Sequence, residues 1–226
     1  MFTQLSVLLS KDMQAILRRG HFLAASGGFA ALLVIVCSFA FRVIGYGQTE
    51  LIELTPGIIW VIFLFSGVTV LGQSFIVEKE NDALHGLLMA AGDPLIIYLS
   101  KFIANSVLLT FLQAFVIILH GVFFGVDYFE HFFFLLALSV FASIGFIALG
   151  TLLAAISTVS SGREILLPML LFPLCLPLVA GVVSVTRVLL QDGVFPVGDF
   201  WFVMVLVFDV VSLVMSLLLF EFVARE

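Results

Sequence analysis

The chain has 226 residues, 63% of them hydrophobic and only 11% charged, with a formal net charge of −6. A usual soluble domain is about 25% charged. With a mean hydropathy of +1.30, this composition excludes a water-soluble globular domain, a disordered segment and a nucleic-acid binder.

The N-terminal residues predict an amphipathic helix over 2–20. Phe2, Leu5, Leu9, Met13, Ile16 and Leu17 recur at helical spacing, with Gln4, Lys11, Asp12, Arg18 and Arg19 between them. That pattern suits a helix lying on a membrane surface. No small-residue cleavage site follows the first apolar run, so a removed signal peptide is not expected.

Beyond it run long stretches without charge: 22–41, 54–77, 102–126, 132–162 and 165–186, then 200–220, where Asp209 is the one exception. Crossing a ~30 Å hydrocarbon layer takes roughly 20 apolar residues. Backbone in lipid must satisfy its own hydrogen bonds, which favours helices. The short alternating segments of a barrel are absent. The expected fold is all-α and polytopic: one domain over 1–226, with six transmembrane helices after the interfacial helix. The spans are placed at about 22–45, 54–77, 99–126, 131–159, 165–189 and 200–223.

Lys and Arg in short loops set orientation. One side carries Lys11, Arg18, Arg19, Lys79, Lys101, Arg163 and Arg225; the other carries Arg42 and Arg187. Both termini are therefore expected in the cytoplasm. Trp60, Trp201, Tyr46 and Tyr128 then fall near the outer interface, where amphipathic rings are favoured. Cys37 and Cys175 lie in different spans and read as small buried residues.

Between spans two and three lies the most charged cytoplasmic segment, 78–94. Leu84, Leu87, Leu88 and Ala91 recur at helical spacing, after Glu78, Glu80 and Asp82. Acids favour a helix N-terminus, and Gly92 with Pro94 would end the helix. The segment reads either as a docking surface for a soluble motor or as an ordinary interfacial loop.

Within the spans, polar stripes stand out: Ser66, Thr69 and Gln73 in the second, and Asp209, Ser212 and Ser216 in the last. Asp209 lies roughly 13 Å into its span. A charge at that depth costs roughly 2.5–3.5 kcal/mol, so the residue faces protein or water, or carries a proton. The stripes line a polar path or a subunit seam, or Asp209 is structural. Pro168, Pro173 and Pro177 each remove a backbone hydrogen bond from the fifth span and predict a kink there. The kinked helix is either a deformable element beside a path or a static bend. Small residues Ser139, Ser143, Gly150 and Ala154 favour close helix contact in span four. His120 and His131, at the outer ends of spans three and four, are weak haem-ligand or metal candidates; a lone interfacial His is commonly only an amphipathic residue.

No G-x-x-x-x-G-K-S/T, H-E-x-x-H, C-x-x-C or G-x-S-x-G occurs. The chain reads as a non-enzyme with no bound cofactor or metal.

Several stretches resemble a known family. Thr55-Pro-Gly-Ile-Ile-Trp-Val61, the register of Ala83-Leu84, Leu87-Leu88 and Lys101, and Pro173-Leu-Cys-Leu-Pro177 are similar to the haem-exporter B permeases (CcmB-type) of bacterial cytochrome c maturation. The resemblance runs from about residue 5 to 222. It departs from the family pattern at Asn81-Asp82, His85 and Ala90-Ala91. It implies the membrane subunit of an ATP-driven ABC exporter in the bacterial inner membrane, with haem as a possible substrate. It also implies a cytoplasmic ATPase partner that holds ATP and Mg, a second permease copy, and other cytochrome c maturation membrane proteins in a lipid bilayer. Docking would then use Glu78, Glu80, Asp82, Leu84, Leu87 and Leu88. A permease for a lipid, polysaccharide or drug, or a non-transporting membrane scaffold, are the competing readings.

Overall fold

The computed structural model describes residues 2–18, 20–74, 94–126, 128, 130–157 and 163–223. These residues fold into helices: α1 Phe2–Arg18, α2 Gly20–Ile44, α3 Gln48–Ser74, α4 Pro94–Phe124, α5 Phe132–Ser157, α6 Arg163–Leu174, α7 Leu176–Asp192 and α8 Phe200–Val223. Five of them are long and apolar enough to cross a membrane, and a sixth span forms if α6 and α7 are taken together. The chain is a polytopic, all-α membrane protein.

The two faces of α4 fit an apolar surrounding. In α4 the buried stripe carries Lys101, Asn105, Gln113 and His120. Its opposite face exposes Phe111, Ile118 and Val122, Phe111 to 75%. A water-soluble helix does the reverse. Polar groups inside and large apolar groups outside is the arrangement lipid demands.

Some helix ends differ from the sequence expectation. α3 starts at Gln48 rather than near 54, and α4 at Pro94 rather than near 99. Glu50 lies in the first turn of α3, where the helix dipole favours an acid. Pro94 opens α4, a position where its missing N–H costs nothing. At the other ends, Gly45 (φ 92°) and Gly125 (φ 70°) take the left-handed conformation that closes α2 and α4. Arg42 Nη2 and Ser38 Oγ both donate to the Phe123 carbonyl, at 2.8 and 3.0 Å. That carbonyl belongs to the last turn of α4, which has no partner of its own. The bond ties the ends of α2 and α4 together.

The main core gathers Trp60 and Phe63 from α3, Phe146 from α5, Leu171 and Val182 from α6 and α7, and Phe202 and Val205 from α8. α5 packs into it through small residues. A Cβ on Gly150 would run into Leu71, and one on Gly67 into Phe146. Ser139, Ser143 and Ala154 are buried on the same helix. Without a hydrophobic force between helices in lipid, such close approach supplies the attraction.

Two of the expected interfacial aromatics are buried against the rest of the protein. Trp60 lies twelve residues into α3, or roughly 18 Å along the helix from Gln48. It is 1% exposed, and its indole N–H donates to Thr186 Oγ1 at 2.8 Å. Tyr128 is also buried. Trp201 and Tyr46 do face outward.

Candidate functional site

The segment expected to dock a motor, with Glu78, Glu80, Asp82, Leu84, Leu87 and Leu88, lies outside the described residues. So does the side chain of Gln73. The structure describes the polar groups enclosed by the helix bundle.

Asp209 is its most costly element. It sits on α8, 4% exposed, with Ser212 and Ser216 buried on the same stripe. Its Oδ1 accepts a hydrogen bond from the backbone N–H of Gly145, at 3.0 Å. Oδ2 is buried without a partner. A side chain at position 145 would block this bond, because a Cβ there would stand 2.5 Å from Oδ1. Gly145 is therefore the structural neighbour of Asp209, one that the residue pattern alone does not point to. The signal was a glycine among the small residues of α5, but its partner lies on another helix. Along α5, Ser143 and Ser139 bond to carbonyls of their own helix, Ser139 and Leu135, and offer Asp209 nothing. Of the second stripe, Ser66 is buried with its hydroxyl unpaired. Thr69 bonds back to the Phe65 carbonyl at 2.9 Å.

The proline-rich span is broken rather than smoothly curved. α6 and α7 meet at Cys175 with a bend of 57°. Pro168 and Pro173 lie inside α6, while Pro177 stands in the first turn of α7. Only the first two remove bonds from a helix interior. Pro177 occupies a position that suits the start of a new helix. Cys175 is fully buried at the joint. Its N–H still reaches the Leu171 carbonyl at 3.0 Å, and its own carbonyl receives Val179 N–H at 2.9 Å. The break is thus a bend with its hydrogen bonds largely repaired.

The two histidines are placed differently. His120 is fully buried, stacked on Phe124 with ring centroids 3.9 Å apart. Its Nδ1 lies 2.7 Å from the Tyr128 hydroxyl, which also lies 3.5 Å from Thr55 Oγ1. Thr55 in turn donates to the Leu51 carbonyl. His120 is therefore one member of a buried network at the end of the bundle, with Nε2 unpaired. His131 is half-exposed at the start of α5. Among the described residues no group of three His, Cys, Asp or Glu side chains is placed to hold a metal ion.

A family model described as CcmB protein matches residues 3–224. The chain belongs to the CcmB family. No curated protein matches it. Membership of the CcmB family and the apolar helices together make this a multi-pass membrane protein of transport, in haem export for cytochrome c biogenesis.

Further polar groups buried in this CcmB-family bundle were not singled out from sequence. Tyr98 donates to the Ala148 carbonyl at 3.2 Å, joining α4 to α5. Gln113 and Thr151 are buried with side-chain atoms unpaired. Asp12 of α1 is buried against Lys101 and Ser100 of α4. The sequence reading had put Asp12 on the wet face of an interfacial helix. Neither its burial nor its partners can be read from local periodicity. An open, apolar cleft of about 530 Å³ runs between α4 and α5. Phe102, Phe111, Val140 and Ile144 line it, so it presents a lipid-like surface.

Proposed function

We propose that this chain is the permease half of an ATP-driven exporter that moves or releases haem for attachment to c-type cytochromes. The observation that carries this reading is the CcmB match over residues 3–224. The full chain carries no phosphate-cradling G-x-x-x-x-G-K-S/T loop. ATP would be hydrolysed by a separate cytoplasmic subunit, with Mg, and two permease copies would enclose the path.

The mechanism is mechanical. Closure of the partner ATPase pushes on 78–94, which leads directly into α4 at Pro94. Binding energy supplied there shifts the permease between two conformations, by no more than the difference in affinity for them. The bent α6–α7 pair is the element that can change its angle, since proline has already removed bonds that a straight helix would have to break. Asp209 with Gly145 holds α8 to α5 while the bend moves. No residue of this chain is assigned covalent chemistry. The protein would reside in the bacterial inner membrane with both termini in the cytoplasm.

Deletion tests the substrate. Loss of haem-stained c-type cytochromes with unchanged envelope lipids supports haem. Altered lipids with intact cytochromes would move the assignment to a lipid permease. Docking is tested by Glu78→Lys with Glu80→Lys. The expected result is that the ATPase no longer co-purifies; retained co-purification together with retained delivery would sink the docking site.

A further inference from the structure

The inward face of α1 contains an acid. Asp12 is buried and Leu5, Leu8, Leu9 and Met13 beside it are half-buried, while Gln4, Val7, Ser10, Gln14 and Arg18 are exposed. A helix that only rests on a membrane surface keeps its acids in water. Here the Asp12 carboxyl is 4% exposed and Lys101 is 6% exposed. Lys101 Nζ lies 3.1 Å from Asp12 Oδ1, and Ser100 Oγ donates to Oδ2 at 3.0 Å. Lys11 Nζ, half-exposed, stands farther off at 3.9 Å. α1 also touches α2, so it bridges two spans.

Such a pair is poor evidence for stability. Apolar residues of similar volume often hold as well or better, whereas removing one partner strands a buried charge. What the pair adds is direction: charge-assisted hydrogen bonds fix two helices at one register and one distance. An apolar contact beside lipid can slide. The location gives that direction a use. Lys101 lies seven residues past Pro94, roughly 10 Å along α4 from the cytoplasmic segment.

We propose that the Asp12–Lys101 pair is a mechanical link that makes α1 and the first turns of α4 move as one body. A push arriving before Pro94 is then carried sideways into α1 and on to α2. Asp12 and Lys101 are positioning residues, and the link rests on the permease reading above.

The experiment uses the full chain in cells lacking the chromosomal copy, with all partner proteins present. Membrane level of the permease and haem-stained c-type cytochromes are both measured. Asp12→Asn and Lys101→Met each lower stained cytochrome about tenfold. The charge swap, Asp12→Lys with Lys101→Asp, restores it to within about twofold. The apolar pair, Asp12→Leu with Lys101→Met, restores membrane level but leaves cytochrome low. That split is the outcome a merely structural pair would not give. Cytochrome restored by the apolar pair overturns the link. So do single variants that match wild type, or a swapped chain at wild-type level with no recovery. If the swapped chain does not accumulate, Asp12→Glu decides. Delivery kept by Glu and lost by Asn at equal level supports the link, and equal delivery by both overturns it. The deletion strain separates the two ideas. Cytochromes intact on deletion remove the haem reading; cytochromes lost on deletion but normal with Asp12→Asn remove only the link.

Discussion

Gly145→Ala is the smallest change that should separate two spans. The added Cβ would stand 2.5 Å from Asp209 Oδ1, and 2.8 and 2.9 Å from Phe208 Cδ1 and Cε1. Comfortable carbon contacts begin near 3.5 Å, so α5 and α8 must part by roughly 0.6–1 Å. Overpacking of this kind costs about 1–3 kcal/mol. The 3.0 Å bond from Gly145 N–H to Asp209 stretches with the gap. A buried acceptor that loses its donor costs about 1–3 kcal/mol more. The combined loss is about 2–6 kcal/mol, less whatever the Phe208 ring recovers by swinging away. The assay is the temperature at which half of the detergent-purified protein aggregates, with membrane level alongside. We expect a fall of roughly 5 °C or more. Adding Phe208→Ala should return part of it. A Gly145→Ala protein with wild-type midpoint and wild-type level would refute the close approach and the bond with it.

Asp209→Asn keeps an acceptor for Gly145 N–H and should preserve both level and delivery. Asp209→Leu removes the acceptor and should lower the level by about 1–3 kcal/mol of stability; lost delivery in Asn at normal level would instead show that the charge itself is used. Pro173→Ala with Pro177→Ala allows α6 and α7 to join. Spin labels at Ile165 and Val194, both exposed, should then move apart by about 5 Å on straightening from the 57° bend. An unchanged distance, read by pulsed electron spin resonance, would mean that tertiary packing rather than proline holds the bend.

The membrane class and the number of spans were legible because they depend on length and hydropathy, which are local. The prolines at 168 and 173 announced a break for the same reason, since each acts on its own turn. Pro177 was harder. Whether a proline kinks a helix or begins one depends on where the previous helix ends. The helices begin at Gln48 and Pro94, ahead of the expected spans, because charges say where lipid stops, not where the helix does. That Trp60 faces the bundle rather than lipid was not legible, since its partner Thr186 lies on another helix. Asp209 was recognised as out of place by depth alone. That Gly145 holds it was not, since the donor is a backbone group on another helix.

The sequence by itself therefore determined the solvent of this protein. Hydrophobic length made it a bundle of membrane-spanning helices, and three motif stretches resemble the CcmB family, to which the match over residues 3–224 assigns it. Only the tertiary structure decided which polar groups the bundle encloses. The stripe Lys101, Asn105, Gln113 and His120 has helical spacing, yet so have many solvated faces. An unpaired polar group in lipid is costly, and several of the partners come from elsewhere in the chain: Asp12 for Lys101, Tyr128 for His120, Gly145 for Asp209. Pairing across helices follows from packing, and a one-dimensional pattern carries no record of it.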